Sequence, residues 1–265
     1  MKIAGADDLD RNTRRISLSR GERLGLQRAS VPVERALSVK RDGSRGCLYS
    51  KITGGVQSVP AEVTQDMKRD EDLIEQINSL WLPVYPFMAE HALAVSGLGS
   101  GKVLDLGPFA GGIAVSILAR SAGFQAKVVD ESERVLRSAS QWAGEKGCSA
   151  RLIVQCAPID AIHEPDGSFD LVTLRGAFFF LTPLLLREVK RVLHPGGFGW
   201  VGGGYGPLTP SAVIAPIADR SRRLNEDLGR RRITAAECKE LLLSTGLAPW
   251  ATISTDGGLW IEVRG

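Results

Sequence analysis

The feature that most constrains the fold is the alternation of strand-like and helix-like segments that begins near Gly101. Apolar stretches of strand length, such as KVLDLG and AKVVDE, are followed by stretches with helical spacing, such as GIAVSILARSAG and ERVLRSASQWAGEKG. Strands separated by helices indicate crossover connections and a parallel sheet. The tail differs, because APWATISTDGGLWIEVRG has two strand-like runs around Asp256-Gly257-Gly258, which is typical of a hairpin. We therefore predict an α/β domain whose otherwise parallel sheet is closed by an antiparallel hairpin.

The N-terminal quarter of the chain has a different composition. Residues 1–66 are rich in Arg, Gly and Ser and contain only short apolar stretches, so we expect an N-terminal extension or cap there. Apolar residues then recur at helical spacing and predict a pair of helices that leads into the core. A chain of 265 residues with 43% hydrophobic residues is long enough for one full domain, which we place at 67–265, plus the extension.

Charge, cysteines and hydropathy narrow the class of protein. The formal net charge of +3 is small, so the total does not imply a nucleic-acid partner. The most apolar run, Gly176 to Leu186, is much shorter than the roughly 20 residues that a membrane helix needs. The four cysteines are far apart and include no CxxC pair, which argues against a disulfide framework or a zinc knuckle. We expect a cytoplasmic protein without a membrane span or a metal site.

The turn after the first strand has the residues of a ligand-binding loop. In parallel sheets, ligands bind beyond the carboxyl ends of the strands. The sequence VLDLGPFAGG places Asp105, Gly107 and Gly111 at such a turn, with Phe109 where a middle glycine would be expected. Glycine lets backbone approach a ligand, and the following helix N-terminus presents free N–H groups. Taken alone, this pattern is a weak signal, and a plain tight turn between strand and helix is the alternative.

Asp130 ends the second strand, and an acidic residue at this position indicates a nucleoside ligand. A carboxylate at this position can accept hydrogen bonds from both hydroxyls of a ribose. A solvated strand-end aspartate is the alternative. The residues up to this point leave a nicotinamide cofactor open.

Two later segments narrow the choice of cofactor. PDGSFDLVTLRGAFFFL and LREVKRVLHPGGFGWVGGG resemble the fourth and fifth strand regions of class I S-adenosylmethionine-dependent methyltransferases, and EVKRVLHPGG is the most specific part. The resemblance extends from about Leu73 to Val263. It implies a Rossmann-like, seven-stranded, mostly parallel sheet with helices on both faces. It also implies S-adenosylmethionine as the cofactor and methyl transfer as the reaction.

The same resemblance implies roles for the residues of the first turn. Asp105 and Gly107 would face the methionine end of the cofactor, and Gly111 would let the backbone come close. Phe109 departs from the family pattern, and we interpret its ring as an apolar wall beside the methionine moiety.

At the other end of the cofactor, Asp130 would hold the ribose, while Ile159 and Asp160 would border the adenine. Pro158 stands where many family members have an aspartate that binds the adenine amino group, and Asp160 is a candidate for the missing acceptor.

Three residues are candidates on the reactive side of the cofactor. Arg175 follows the fourth strand, at the substrate side of the sulfonium, and is a candidate for both cofactor binding and catalysis. Tyr85, before the core, and Tyr205, after the fifth strand, are candidates to reach the methyl group from opposite sides. Packing is an equally good explanation of either tyrosine.

The leading hypothesis is a methyltransferase that acts on a small molecule. One alternative is an aminopropyl or aminobutyryl transferase that uses the same cofactor. Another is a non-catalytic S-adenosylmethionine-binding protein, which the departures at Phe109 and Pro158 motivate. The sequence does not specify the acceptor or the oligomeric state.

A basic segment after the fifth strand bears on the acceptor. Its arginines form a solvated helix face or, together with Arg175, bind an anionic acceptor such as a carboxylate. An Arg-rich N-terminal arm supports nucleic acid as a competing partner, which we do not expect. The basic segment contains Arg220, Arg222, Arg223, Arg230, Arg231 and Arg232.

Overall fold

The computed structural model describes residues 61–229 and 232–265. Its strands are β1 (Gly101–Leu106), β2 (Phe124–Asp130), β3 (Leu152–Cys156), β4 (Phe169–Arg175), β5 (Leu193–Gly204), β6 (Ala251–Ser254) and β7 (Gly258–Arg264). Its α-helices are α1 (Ala61–Leu80), α2 (Tyr85–Ser96), α3 (Gly112–Arg120), α4 (Glu133–Glu145), α5 (Pro183–Val192), α6 (Ser211–Asp227) and α7 (Ala235–Thr245).

The strands form one sheet in the order β3-β2-β1-β4-β5-β7-β6. Strands β1 to β5 are parallel, and β7 lies antiparallel between β5 and β6. This confirms the predicted parallel sheet with a C-terminal hairpin. The strand order reverses between β1 and β4, and in such sheets the crevice at the reversal is where ligands bind.

Helices cover both faces of the sheet and produce two hydrophobic cores. One core lies under α2, α3 and α4 and extends to α1 and α6. The other lies under α5 and α7. The strong amphipathic pattern of α4 and α5 explains this arrangement, because each helix buries one apolar stripe against the sheet.

The two helices predicted before the core are α1 and α2, and α1 begins at Ala61. Residues 1–60 lie outside the described part of the chain, so the N-terminal extension and the boundary near residue 67 stay predictions. No helix in the described ranges has the combined length and apolar character that a membrane crossing requires.

The pairing of β5 with β7 depends on a glycine beneath a tryptophan stack. Trp200 and Trp260 are fully buried, and their rings stack with centroids 3.8 Å apart. Gly202 pairs directly with Trp260 across the two strands. A Cβ atom at Gly202 would lie 2.3 Å from the carbonyl oxygen of Leu259 and 2.8 Å from the Cα of Trp260. Both contacts are with backbone, so a side chain at this position would force the strands apart.

We predict that Gly202→Ala lowers the free energy of unfolding by about 1–3 kcal/mol, the usual range for overpacking. The matched control is Gly203→Ala, whose Cβ would meet its nearest neighbour, the Phe178 ring, at 3.7 Å. The free energy of unfolding of this control variant should stay within about 0.5 kcal/mol of the wild-type value. Urea unfolding followed by tryptophan fluorescence measures both, and equal losses would contradict the role assigned to Gly202.

Candidate active site

A buried carboxylate at the end of β1 holds the turn that follows. Asp105 is completely buried, and its Oδ2 accepts hydrogen bonds from the backbone N–H groups of Gly111 (2.9 Å) and Ala114 (3.2 Å). Its Oδ1 accepts one from the Thr173 hydroxyl of β4 at 2.8 Å. Burial raises the pKa of Asp105 to about 6, although these hydrogen bonds favour the ionised form. Asp105 therefore shapes the turn, while its predicted place at the methionine end stays a prediction.

The turn needs glycine at two positions, for two different reasons. Gly107 has φ 88° and donates to the Val129 carbonyl at 3.0 Å, which joins the turn to β2. Gly111 has φ 100°, and a Cβ atom there would lie 2.7 Å from the Cβ of Ala139 in α4. Gly111 is thus needed for helix packing. The close approach to the cofactor that the resemblance implies is a second requirement, which stays a prediction.

The smaller of two cavities at the carboxyl edge of the sheet has a volume of about 280 Å³. It brings together the three residues predicted for the ribose and adenine. Asp130 lies at the end of β2, and Ile159 and Asp160 follow β3. The lining is Pro108, Asp130, Glu131, Ile159, Asp160, Phe180, Thr182 and Leu185. Carboxylates that can accept from hydroxyl and amino groups, beside apolar side chains, fit an adenosine.

Asp130 is poised to accept hydrogen bonds. Its side chain is 6% exposed, and its Oδ1 accepts from the backbone N–H of Ser132 at 2.8 Å. Burial raises the pKa of Asp130 to about 7, and the neighbouring Glu131 and Glu71 carboxylates add to the rise. A ligand that donates hydrogen bonds to the ionised carboxylate would lower this pKa again.

The larger cavity has a volume of about 470 Å³ and lies between the sheet edge, α1 and α6. It brings together Arg175, Phe109 and Tyr205. The rest of the lining is Ile77, Trp81, Gly176, Phe179, Gly203, Gly204, Ile214, Ala218, Ser221, Arg222, Asn225, Glu226, Arg232 and Gly258. Phe109 packs on Gly176, where a Cβ atom would lie only 2.2 Å from its ring. The ring is an apolar wall of this larger cavity, and its predicted place beside the methionine moiety stays a prediction.

Arg175 lies at the base of the larger cavity inside a box of aromatic rings. Its side chain is 4% exposed. The guanidinium carbon lies 4.5 Å from the ring centroid of Trp81, 4.9 Å from that of Phe109 and 5.1 Å from that of Tyr85. The aromatic faces stabilise the buried cation by cation–π attraction.

Tyr85 orients the Arg175 guanidinium through a buried hydrogen bond. Its hydroxyl donates to Asn78 Oδ1 at 3.0 Å and accepts from Arg175 Nη2 at 2.9 Å. Burial raises the pKa of Tyr85 above its usual range, although the nearby Arg175 charge opposes the rise. Tyr85 is not part of the lining of either cavity described above. Its position fits a positioning residue better than a group that reaches the methyl, the role for which it was a candidate.

Tyr205 lies at the rim of the larger cavity and is 38% exposed. Its backbone N–H donates to the Gly257 carbonyl at 2.7 Å, so the hairpin turn fixes its main chain. Among the described residues, no group of three or more His, Cys, Asp or Glu side chains is arranged to hold a metal ion.

The aromatic run after β4 contributes to both cavities. Phe178 is a core residue, Phe179 lines the larger cavity and Phe180 lines the smaller one. The Phe180 ring also lies against Gly107, where a Cβ atom would be 3.1 Å from its Cζ. An unbroken aromatic run does not by itself show which ring faces which side.

Sequence reasoning also missed the contribution of α1. Asn78 is 3% exposed and accepts from both Tyr85 and Arg175, while its Nδ2 donates to the Pro108 carbonyl at 3.0 Å. Trp81 donates from Nε1 to the Ser221 hydroxyl of α6 at 2.8 Å. A lone asparagine among the apolar residues of α1 was the available signal, since a buried amide needs partners.

The basic segment reaches the larger cavity at two positions. Arg222 and Arg232 line it, and Arg222 forms an exposed ion pair with Asp219 at 2.9 Å. Arg220 and Arg223 are exposed on α6. Arg230 and Arg231 lie outside the described residues.

Comparison with known proteins agrees with this geometry. Residues 103–197 match the family model of a methyltransferase domain. A Methanococcus maripaludis protein, described as an S-adenosyl-L-methionine-dependent methyltransferase, superimposes with a TM-score of 0.62 at 23% identity, covering 80% of this chain and 97% of that one. An O-methyltransferase family 2 protein of Planctomyces limnophilus, solved with apigenin, superimposes with a TM-score of 0.53 at 15% identity, covering 77% and 66%. No curated protein sequence matches the chain.

The fold and the family model define the class: residues 103–197 match a methyltransferase domain, and the chain has the fold of class I S-adenosylmethionine-dependent methyltransferases. Its cofactor is S-adenosylmethionine, as the sequence predicted. Which residues contact that cofactor stays a prediction, now supported by the smaller cavity.

We predict that S-adenosylhomocysteine binding tightens as the pH rises from about 5.5 to 8. With the pKa of Asp130 near 7 in the free protein, its carboxyl is mostly protonated at low pH and must lose a proton to accept from the ribose hydroxyls. The dissociation constant should fall up to tenfold per pH unit below pH 7 and level off above it. Calorimetry across this range measures the effect.

Asp130→Asn is the control for this pH dependence. At pH 8 the variant should bind S-adenosylhomocysteine more weakly by about 1.5–3 kcal/mol, because hydrogen bonds to a charged group are lost. It should also show a nearly flat pH profile. A wild type as flat as the variant would remove Asp130 from the cofactor site.

Proposed function

We propose that this chain transfers the methyl group of S-adenosylmethionine to a small-molecule acceptor bound in the larger cavity. The observation that carries the proposal is the cavity itself: about 470 Å³, at the carboxyl edge of the sheet and next to the smaller cavity. Sites for small molecules typically enclose 300–1,000 Å³ and combine apolar walls with a few polar groups.

The two cavities share their dividing wall. The first turn contributes Pro108 to the smaller cavity and Phe109 to the larger one. The segment after β4 contributes Phe180 and Phe179 in the same way. A nucleoside in the smaller cavity and an acceptor in the larger one would therefore be neighbours, with Pro108, Phe109, Phe179 and Phe180 between them.

The outer side of the larger cavity favours a small acceptor over a polymer. The hydrogen bond from Trp81 to the buried Ser221 hydroxyl joins the end of α1 to α6 beside the cavity. The P. limnophilus protein, which shares the fold, was solved with apigenin, and this also supports a small acceptor.

When bound, the cofactor supplies a methyl group already activated by its sulfonium, and transfer leaves S-adenosylhomocysteine. The protein's main contribution is then to hold the acceptor in line with that methyl group. Phe109 and Phe179 exclude water from one side, and Tyr205 at the rim is the candidate to take a proton from an acceptor that must lose one.

We predict that Ala218→Trp abolishes transfer to small molecules and leaves cofactor binding intact. Ala218 lies on α6 and lines the larger cavity, so an indole there would occupy space that the acceptor needs. The matched control is Ala215→Trp, an exposed position of the same helix outside the cavity lining. Transfer from methyl-deuterated S-adenosylmethionine to a panel of phenols, aromatic amines and carboxylic acids is followed by mass spectrometry.

Transfer should fall at least tenfold in Ala218→Trp and stay near the wild-type level in Ala215→Trp, with S-adenosylhomocysteine affinity within about twofold in both. Equal transfer by both variants would contradict the assigned cavity. The nucleoside product separates the alternatives: methylthioadenosine would indicate aminopropyl or aminobutyryl transfer, and tight binding without any product would indicate a non-catalytic protein.

A further inference from the structure

We propose that the acceptor carries a carboxylate and that Arg175 binds this group at the base of the larger cavity. The inference rests on the proposed function and adds the chemical class of the acceptor. It is carried by a buried cation whose hydrogen-bonding capacity the described residues use only in part.

The charge of Arg175 lacks a matching anion in the described part of the chain. No described carboxylate forms an ion pair with it. Asp105 is the acidic group near enough to interact through space, but its oxygens accept from Gly111, Ala114 and Thr173. Burying a charge is costly unless it is paired. A ligand anion would supply the missing partner.

The guanidinium also has unused donors. Among the described residues, its hydrogen bonds come from Nη2, at 3.1 Å to Asn78 Oδ1 and 2.9 Å to Tyr85 Oη. Its Nε is buried and has no partner. Buried polar groups are nearly always satisfied, and each exception calls for an explanation. A carboxylate in the cavity would accept charge-assisted hydrogen bonds from these remaining N–H groups.

The surroundings hold Arg175 in place without neutralising it. Trp81, Phe109 and Tyr85 surround the guanidinium, and Asn78 and Tyr85 are uncharged acceptors that orient it. A binding group that is already immobilised loses little conformational entropy when the ligand arrives. The same aromatic walls favour a flat acceptor, so an aryl carboxylate is the simplest probe.

The test compares benzoate with its uncharged isostere benzamide on the full chain saturated with S-adenosylhomocysteine, using ligand-observed NMR titrations. The wild type should bind benzoate at least tenfold more tightly than benzamide. In Arg175→Met the ratio of the benzamide to the benzoate dissociation constant should fall to near one. Arg175→Lys, which keeps the charge, should retain part of the preference for benzoate. Arg223→Met removes an exposed arginine of α6 outside the cavity lining, so the preference should persist there.

Two further measurements distinguish acceptor binding by Arg175 from a purely structural role and from binding of the cofactor carboxylate. Arg175→Met should melt at or above the wild-type temperature without acceptor, because it removes an uncompensated buried charge; a lower melting temperature together with an unchanged benzoate preference would make Arg175 structural. The affinities for S-adenosylhomocysteine and for methylthioadenosine, which lacks the amino-acid carboxylate, should both stay within threefold in this variant. A loss confined to S-adenosylhomocysteine would show that Arg175 binds the cofactor carboxylate and would overturn the proposal.

The inference and the proposed function fail in different ways. Methylation of neutral small molecules by a wild type with no preference for benzoate would overturn the carboxylate alone. A benzoate preference that depends on Arg175, without transfer to any small molecule, would overturn the proposed function and leave the anion site.

Discussion

The site depends on the buried carboxylate of Asp105. Its hydrogen bonds to Gly111 and Ala114 hold the first turn against the start of α3, and its bond to Thr173 holds the same turn against β4. This arrangement sets the path of the chain between the two cavities, because Pro108 and Phe109 lie within that turn. Loss of the carboxylate would leave three buried donors without a partner, so the geometry of both cavities rests on one side chain.

The sheet and the added helices contribute different parts of the molecule. The smaller cavity is built from the ends of the strands and the loops that follow them, and the methyltransferase family model covers this part of the chain. The larger cavity also needs α1 and α6, which lie outside the matched residues 103–197. Such a division lets one fold keep its cofactor while the appended helices determine the acceptor.

The meeting of residues from different strand ends was predictable from the sequence, because parallel strands end at a common edge, although their contacts with the cofactor stay predictions. Asp130, Ile159 and Asp160 are up to 30 positions apart and still line one cavity. The first turn was less predictable. Its glycine spacing indicates a tight turn but does not show that Gly111 faces Ala139 of α4. Tyr85 was a candidate for the reactive side; its hydrogen bonds with Asn78 and Arg175 place its hydroxyl in a buried network, which no local pattern indicated.

The sequence by itself determined the α/β class and the antiparallel hairpin at the end of the sheet, because periodicity and turn residues are local signals. The cofactor came from the resemblance of the fourth and fifth strand regions to class I methyltransferases. The tertiary structure decided what surrounds Arg175. Its neighbours Asn78, in α1, and Trp81, directly after that helix, lie almost a hundred residues earlier in the chain, and Phe109 comes from the first turn. Which distant side chains meet a buried charge depends on how helices pack on the sheet, and no local pattern encodes that packing.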